Sequence, residues 1–178
     1  MKVIGLGNLA LLVRELIKQP IETQWLEFKH NNCDPQMIGQ DISALANAAA
    51  LCEKSCAYMI WGVTDDTHEI VGTTFDYRVA KKGNEEIQSW LRKLLSSNAN
   101  YEFSAVDIDG KAIMVLTVYK AIDKTVMFEK TDYIRIGSYT KKLNEYPQVK
   151  AQLWDKLRGT HFEMSSAKTD LDTESVIK

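Results

Sequence analysis

The stretch Glu22-Thr23-Gln24-Trp25-Leu26-Glu27-Phe28-Lys29 places two carboxylates and an ammonium in one short run. Read as a strand from about Gln24, it alternates: Leu26 and Phe28 point to one side, and Trp25, Glu27 and Lys29 to the other. Some thirty residues later a second apolar run, Ala57-Tyr58-Met59-Ile60-Trp61-Gly62-Val63, ends in Asp65-Asp66. If the two strands are neighbours, three or four carboxylates and Lys29 meet at one end of a sheet. Such a cluster has two chemistries open to it. Glu22, Glu27 and Asp65 can hold Mg²⁺ or Mn²⁺, because hard cations prefer oxygen ligands. Lys29 would then stabilise charge on an attacked phosphate or activate water. The same residues can equally form a salt-bridge network, since same-face Glu–Lys pairs on strands are common.

Other catalytic patterns are missing. His30, His68 and His161 are far apart and form no HxxxH element, and Cys52 and Cys56 have no second cysteine pair to complete a zinc site. No serine sits in a GxSxG elbow, and there is no GxxxxGK[ST] phosphate loop. Gly5-Leu6-Gly7-Asn8-Leu9-Ala10 has the outline of a dinucleotide fingerprint, but only three residues precede it as a strand. A flexible leader entering a helix is the simpler reading. Gly137-Ser138-Tyr139-Thr140 follows a strand that contains Arg135 and precedes Lys141-Lys142. That turn can offer hydroxyls, N–H groups and charge to a phosphate backbone, or it is a polar turn beside a solvated basic pair.

The elements that must position these groups follow from periodicity. Leu9–Lys18 reads as a short amphipathic helix stopped by Pro20. Pro35, preceded by Asp34, opens a helix reaching about Leu51, with Met37, Ile38, Ile42, Leu45, Ala46 and Ala49 at helical spacing. Ala57–Val63 is apolar enough to be a strand covered on both faces, and Glu69–Gly72 returns as a short strand. Glu85–Leu95 is a further amphipathic helix. Tyr101–Asp107 and Lys111–Tyr119 form a hairpin turned at Asp109-Gly110, both of which tolerate positive φ. Thr125–Phe128 and Tyr133–Ile136 read as strands, and Gln148–Leu157 as the last helix. The expected fold is therefore α+β, a mixed, largely antiparallel sheet flanked by helices. Residues 1–19 form a leader and helix, 20–158 the main domain, and 159–178 a polar, mobile tail or linker.

Composition bounds the class. At 178 residues, 45% hydrophobic and 26% charged, the chain suits one soluble domain. The opening apolar segment is broken by Arg14, Glu15 and Lys18, and three irregularly spaced cysteines favour a reducing compartment. A cytoplasmic location and no membrane partner are expected. A net charge of −2 makes no global case for nucleic acid, yet Arg135 to Arg158 carries a local +4.

Taken as an ordered set, Glu22-xxxx-Glu27-Phe28-Lys29, Ile42-Ser43-Ala44-Leu45-Ala46-Asn47-Ala48, Trp61-Gly62-Val63-Thr64-Asp65-Asp66, Ile70-Val71-Gly72-Thr73 and Tyr133-Ile134-Arg135-Ile136-Gly137-Ser138 resemble the Schlafen AlbA-type domain found at the N-terminus of many bacterial transcriptional regulators. The resemblance spans about Pro20 to Arg158. It departs from the usual pattern after the second helix, where Asn47-Ala48-Ala49-Ala50-Leu51 stands in place of Asn-Thr-x-Gly-Gly.

The resemblance implies an α+β fold and DNA or RNA as the partner. Bacterial relatives usually continue into a C-terminal winged-helix region absent from this chain, and a homodimer is a further expected partner. An RNA-cleaving subset of the animal branch has a three-carboxylate site, which the motif match places at Glu22, Glu27 and Asp65. The leading expectation is a nucleic-acid-binding domain that contacts phosphates through Lys29, Arg135, Ser138, Lys141 and Lys142 and needs no cofactor for binding. The alternatives are an Mg²⁺- or Mn²⁺-dependent nuclease, with Glu22, Glu27 and Asp65 on the metal and Lys29 at the transition state, and a protein-interaction or oligomerisation domain.

Overall fold

The computed structural model describes residues 6–20 and 23–159. Glu22, the leader before Leu6 and the tail from Thr160 lie outside the described residues. Helix α1 (Leu6–Leu16) leads to β1 (Leu26–Lys29), α2 (Pro35–Leu51) and β2 (Cys56–Trp61). Two short strands, β3 (Lys81–Lys82) and β4 (Glu85–Glu86), precede α3 (Ile87–Leu94). The hairpin β5 (Tyr101–Ile108) and β6 (Lys111–Tyr119) is followed by β7 (Met127–Phe128), β8 (Thr131–Ile136) and β9 (Tyr139–Lys142). A 3₁₀ turn (Leu143–Glu145) and a helix over residues 147–159, α4, complete the order.

A four-stranded sheet in the order β1-β2-β6-β5 carries the molecule. β1 and β2 are parallel, and the other pairs are antiparallel. The expected α+β class with a mixed, largely antiparallel sheet is what forms. Strand alternation sorts the sheet's side chains into two cores. Leu26 and Phe28 of β1, Ile60 of β2, Ile113 and Val115 of β6, and Val106 and Ile108 of β5 share one face with Leu9, Val13 and Leu16 of α1. Spacings of four and three residues place those α1 side chains on one stripe. The other face carries Ala57, Met59, Trp61, Met114, Leu116 and Phe103 against Ile38, Ile42, Leu45 and Ala49 of α2. Each fully buried large side chain contributes about 1.5–3 kcal/mol relative to exposure, and α1 alone commits three.

α2 begins as its sequence dictates, with Pro35 in its first turn, where a missing N–H costs nothing. Asp34 holds the cap position without making a side-chain cap bond. Small residues let other chains come close. A Cβ on Gly39 would lie 2.2 Å from the Phe128 ring, so only glycine lets β7 approach this part of the helix.

Two buried polar residues one turn apart, Ser43 and Asn47, then fix the third sheet, β7-β8-β9, onto α2. The Asn47 amide donates to Val126 O at 3.0 Å and Tyr133 O at 2.8 Å, and its carbonyl accepts from Val126 N–H at 2.9 Å. The Ser43 hydroxyl donates to Val126 O at 2.7 Å and accepts from Tyr133 N–H at 3.0 Å. Backbone groups that lack a ladder partner thus find one on the helix.

Several boundaries differ from the sequence reading. α1 starts three residues earlier and ends two earlier than expected. Glu85 and Glu86 pair with Lys82 and Lys81, so α3 starts at Ile87. Glu69–Gly72 forms no strand. Val63 and Ile70 share one isolated bridge, and the N–H groups of Val71 and Gly72 both turn onto Gly62 O at 2.8 and 3.0 Å. Tyr139–Lys142, read as the end of a turn and a basic pair, is the strand β9. The Asp109-Gly110 hairpin forms as read, with φ of 55° and 77°.

Replacing Asn47 by Ala leaves Val126 N–H and Tyr133 O buried without that partner, at about 1–3 kcal/mol each. Urea denaturation of Asn47→Ala is expected to show a loss of at least about 2 kcal/mol. A loss below about 0.5 kcal/mol would show that the clamp is not structural.

Candidate nucleic-acid interface and its buried ion pairs

β1 sends Leu26 and Phe28 to the α1 core, so Glu27 and Lys29 must face α2 and the β7-β8-β9 sheet. Glu27 is 5% exposed. The Lys29 ammonium donates to its Oε1 and the Arg135 guanidinium, from β8, to its Oε2. Arg135 is 2% exposed. Its second nitrogen donates to Thr140 Oγ1 at 3.3 Å, and the Thr140 hydroxyl donates to Asp41 Oδ1 at 2.6 Å. Lys29, Glu27, Arg135, Thr140 and Asp41 therefore form one chain of contacts joining β1, β8, β9 and α2. Arg135 Nε is buried with no hydrogen-bond partner among the described residues.

The charges in this chain respond to one another. Burial works against the Lys29 ammonium, but the hydrogen bond and charge of Glu27, with Asp41 and Asp65 behind them, outweigh it and raise its pKa. Burial pushes the Asp41 carboxyl above its ordinary value, against the Thr140 hydroxyl and the Arg135 charge. Asp65, exposed just after β2, is also raised by partial desolvation, against the pull of Lys29. Its neighbour Asp66 accepts the Thr67 N–H at 2.8 Å and so shapes the turn.

The site residues read from the sequence now divide. Glu27, Lys29 and Asp65 lie within electrostatic reach of one another, while Glu22 is outside the described residues. Both Glu27 oxygens are occupied by cations. No group of three His, Cys, Asp or Glu suited to a metal ion occurs among the described residues. As arranged, the described donors do not fit Mg²⁺ or Mn²⁺.

Arg135, expected on a phosphate, requires correction: it is buried and spent on Glu27, so it has no surface to offer a backbone. Ser138, Lys141 and Lys142 are exposed on the turn and strand that follow it. Neither lysine takes a carboxylate among the described residues.

One member of the network, Asp41, escaped the sequence reading, and another, Thr140, was read only as part of a turn. Asp41 interrupts the apolar register of α2 between Ile38 and Ile42, and an acid on a buried stripe signals a partnered carboxylate. Thr140 and Tyr139 were assigned to a turn, which hid the alternation that sends one inward and the other out.

A buried ion-pair network under a hairpin clamped to a sheet-packed helix defines this as an α+β domain with a fixed, cation-bearing hairpin. The family profile described as "Schlafen, AlbA_2" matches residues 22–144. The chain belongs to that family. The crystal structure of the DIP2311 protein from Corynebacterium diphtheriae is similar to it, with a TM-score of 0.54 and 14% identity. The match covers 88% of this chain and 33% of that one, so the chain spans about a third of that protein's length. The solution structure of the N-terminal domain of a RecG-related protein from Nitrosomonas europaea gives a TM-score of 0.42 at 21% identity, over 74% of this chain and 90% of that one. No curated protein matches. The DIP2311 likeness speaks for the fold alone. Among the described residues no helix is long and apolar enough to cross a membrane.

Glu27→Ala strands Arg135 as a buried charge without its counter-ion. It is expected to cost about 3–5 kcal/mol in chemical denaturation, and a cost under about 1 kcal/mol would show the pair to be solvated in practice.

The Asp41 carboxyl gives a pH signature of known sign. Its folded pKa lies above its unfolded value, so its contribution to stability is complete at low pH and is lost as pH rises through the raised pKa. Melting curves of wild type and Asp41→Asn, taken upward from about pH 4, should therefore diverge with pH, the variant gaining relative stability. Parallel curves would contradict this.

Proposed function

We propose that this domain is the nucleic-acid-binding part of a bacterial transcriptional regulator, gripping the phosphate backbone through the β8–β9 hairpin. The observation that carries the reading is the division of cations around the hairpin. Arg135 and Lys29 are committed to Glu27, whereas Lys141 and Lys142 stand exposed without carboxylate partners among the described residues, next to the exposed residue Ser138. Ammonium groups not paired with a carboxylate release counter-ions from the strand when they meet its phosphates, which is the dominant sequence-independent term in nucleic-acid binding. Membership of the Schlafen, AlbA_2 family supports the reading, and binding of this kind needs no metal.

The competing reading, a Mg²⁺- or Mn²⁺-dependent nuclease, requires Lys29 and Arg135 to surrender Glu27. Removing those cations from a buried carboxylate costs more than a surface rearrangement. Binding without cleavage is therefore favoured.

The test is a gel-shift and cleavage series on transfer RNA, single-stranded DNA and duplex DNA, with and without Mn²⁺, across a range of salt. Binding should weaken with salt, and replacing Lys141 and Lys142 together by Ala should flatten the log–log slope by about 0.7–0.9 for each lysine removed. Absence of binding at low salt for all three probes refutes the proposal. Mn²⁺-dependent cleavage that disappears in Asp65→Asn would instead establish the nuclease.

A further inference from the structure

We propose that Tyr139 is a stacking platform for an unpaired base, so that the hairpin takes single-stranded nucleic acid in preference to duplex. The inference rests on the nucleic-acid-binding reading and names the kind of strand bound.

It begins with register. Arg135 pairs with Thr140, Ile136 with Tyr139 and Ile134 with Lys141 across the β8–β9 ladder. Because side chains alternate along a strand, anchoring Arg135 and Thr140 toward Glu27 and Asp41 sends Tyr139 and Lys141 to the opposite face. The connection between the strands is two residues long, Gly137-Ser138. Gly137 has φ +60° and Ser138 is not among the positive-φ residues, the pattern of a type II′ turn. Such a turn fixes the register of the hairpin and holds Tyr139 at the start of β9 rather than on a loose loop.

Tyr139 is 69% exposed, the most exposed aromatic side chain among the described large hydrophobic residues. A ring so exposed is open to a partner from solution. The Lys141 ammonium lies 5.6 Å from its centroid, a cation–π contact that steadies the ring. One ammonium can occupy only one face, which leaves the other for a planar partner.

The flanking groups suit a nucleotide. Lys141, on the ring's own face of β9, supplies positive charge and Ser138 a hydroxyl, both exposed and within two residues of the ring, while the exposed Lys142 follows on the strand's other face. An aromatic ring set among cations is the arrangement by which single strands are held, since every base has a π-face and the backbone beside it is anionic. In a duplex the bases are already stacked on one another, so the ring has nothing to accept.

The experiment uses the full chain and fluorescein-labelled, non-self-complementary oligonucleotides, one DNA and one RNA, each as single strand and as duplex, read by anisotropy. Wild type is expected to prefer the single strands. Tyr139→Ala should weaken single-strand binding about tenfold, leave duplex binding within about twofold of wild type, and leave the melting curve unchanged. Tyr139→Phe should bind like wild type, because stacking needs the ring and not the hydroxyl. A single strand carrying 2-aminopurine should change its fluorescence on binding wild type but not Tyr139→Ala.

Equal affinities of wild type and Tyr139→Ala for single strands overturn this inference while nucleic-acid binding stands. Equal losses on single strand and duplex do the same, because they mark a contact to the backbone. No binding of any probe by wild type overturns both.

Discussion

The structure turns on a buried guanidinium. Arg135, 2% exposed, meets Glu27, 5% exposed, across 108 residues of chain. Withdrawing either charge from water costs several kcal/mol, and their attraction recovers that only with good geometry and further hydrogen bonds. Lys29 and Thr140 supply part of the remainder, and Asp41 closes the chain from the helix side. Such a pair is weak evidence for stability but strong evidence for registration. Sliding β8 by one residue would set Ile134 or Ile136 against Glu27 and leave the carboxylate opposed by a hydrocarbon. The β7-β8-β9 sheet is thus held in one place twice over, by Ser43 and Asn47 on its backbone and by Glu27 on its side chain.

How much of this was legible in the sequence depended on the range of the interaction. α2 was readable almost to the residue, because Pro35 and a run of alanines at helical spacing act locally. The β5–β6 hairpin was equally plain, since Asp109-Gly110 prescribes its own turn. The β1 alternation held and placed Glu27 on the correct face. Where a short segment took its structure from distant partners, the reading failed. Glu85 and Glu86 have ordinary helix propensity but pair with Lys81 and Lys82, and Tyr139–Lys142 became a strand because β8 was there to receive it. Ile70 has one bridge partner, Val63, and no ladder extends from it among the described residues.

The candidate site shows the same limit more sharply. Glu27-Phe28-Lys29 raised two alternatives, a metal centre and a salt bridge. The described residues show the second, with a partner that spacing alone does not reveal: nothing in positions 27 and 135 connects them until the fold does. Asp41 was visible in principle as an acid on an apolar stripe. Ser43 and Asn47 entered the sequence reading only as parts of a motif; in the fold they are hydrogen-bond partners of the β7-β8-β9 sheet.

Burial and exposure are linked across the hairpin by the pleat. A strand cannot tuck Thr140 inward without turning Tyr139 and Lys141 the other way, so the network that neutralises Glu27 also decides which groups reach solvent. The two carboxylates that could have drawn positive charge to the surface, Glu27 and Asp41, are instead satisfied from within. The ammonium groups on β9 have no carboxylate partner among the described residues, and that of Lys141 lies beside the Tyr139 ring. That arrangement leaves two exposed lysines on one strand of a chain whose net charge is −2. The fold commits Arg135 and Lys29 to Glu27 and leaves Lys141 and Lys142 exposed, with no carboxylate partner among the described residues.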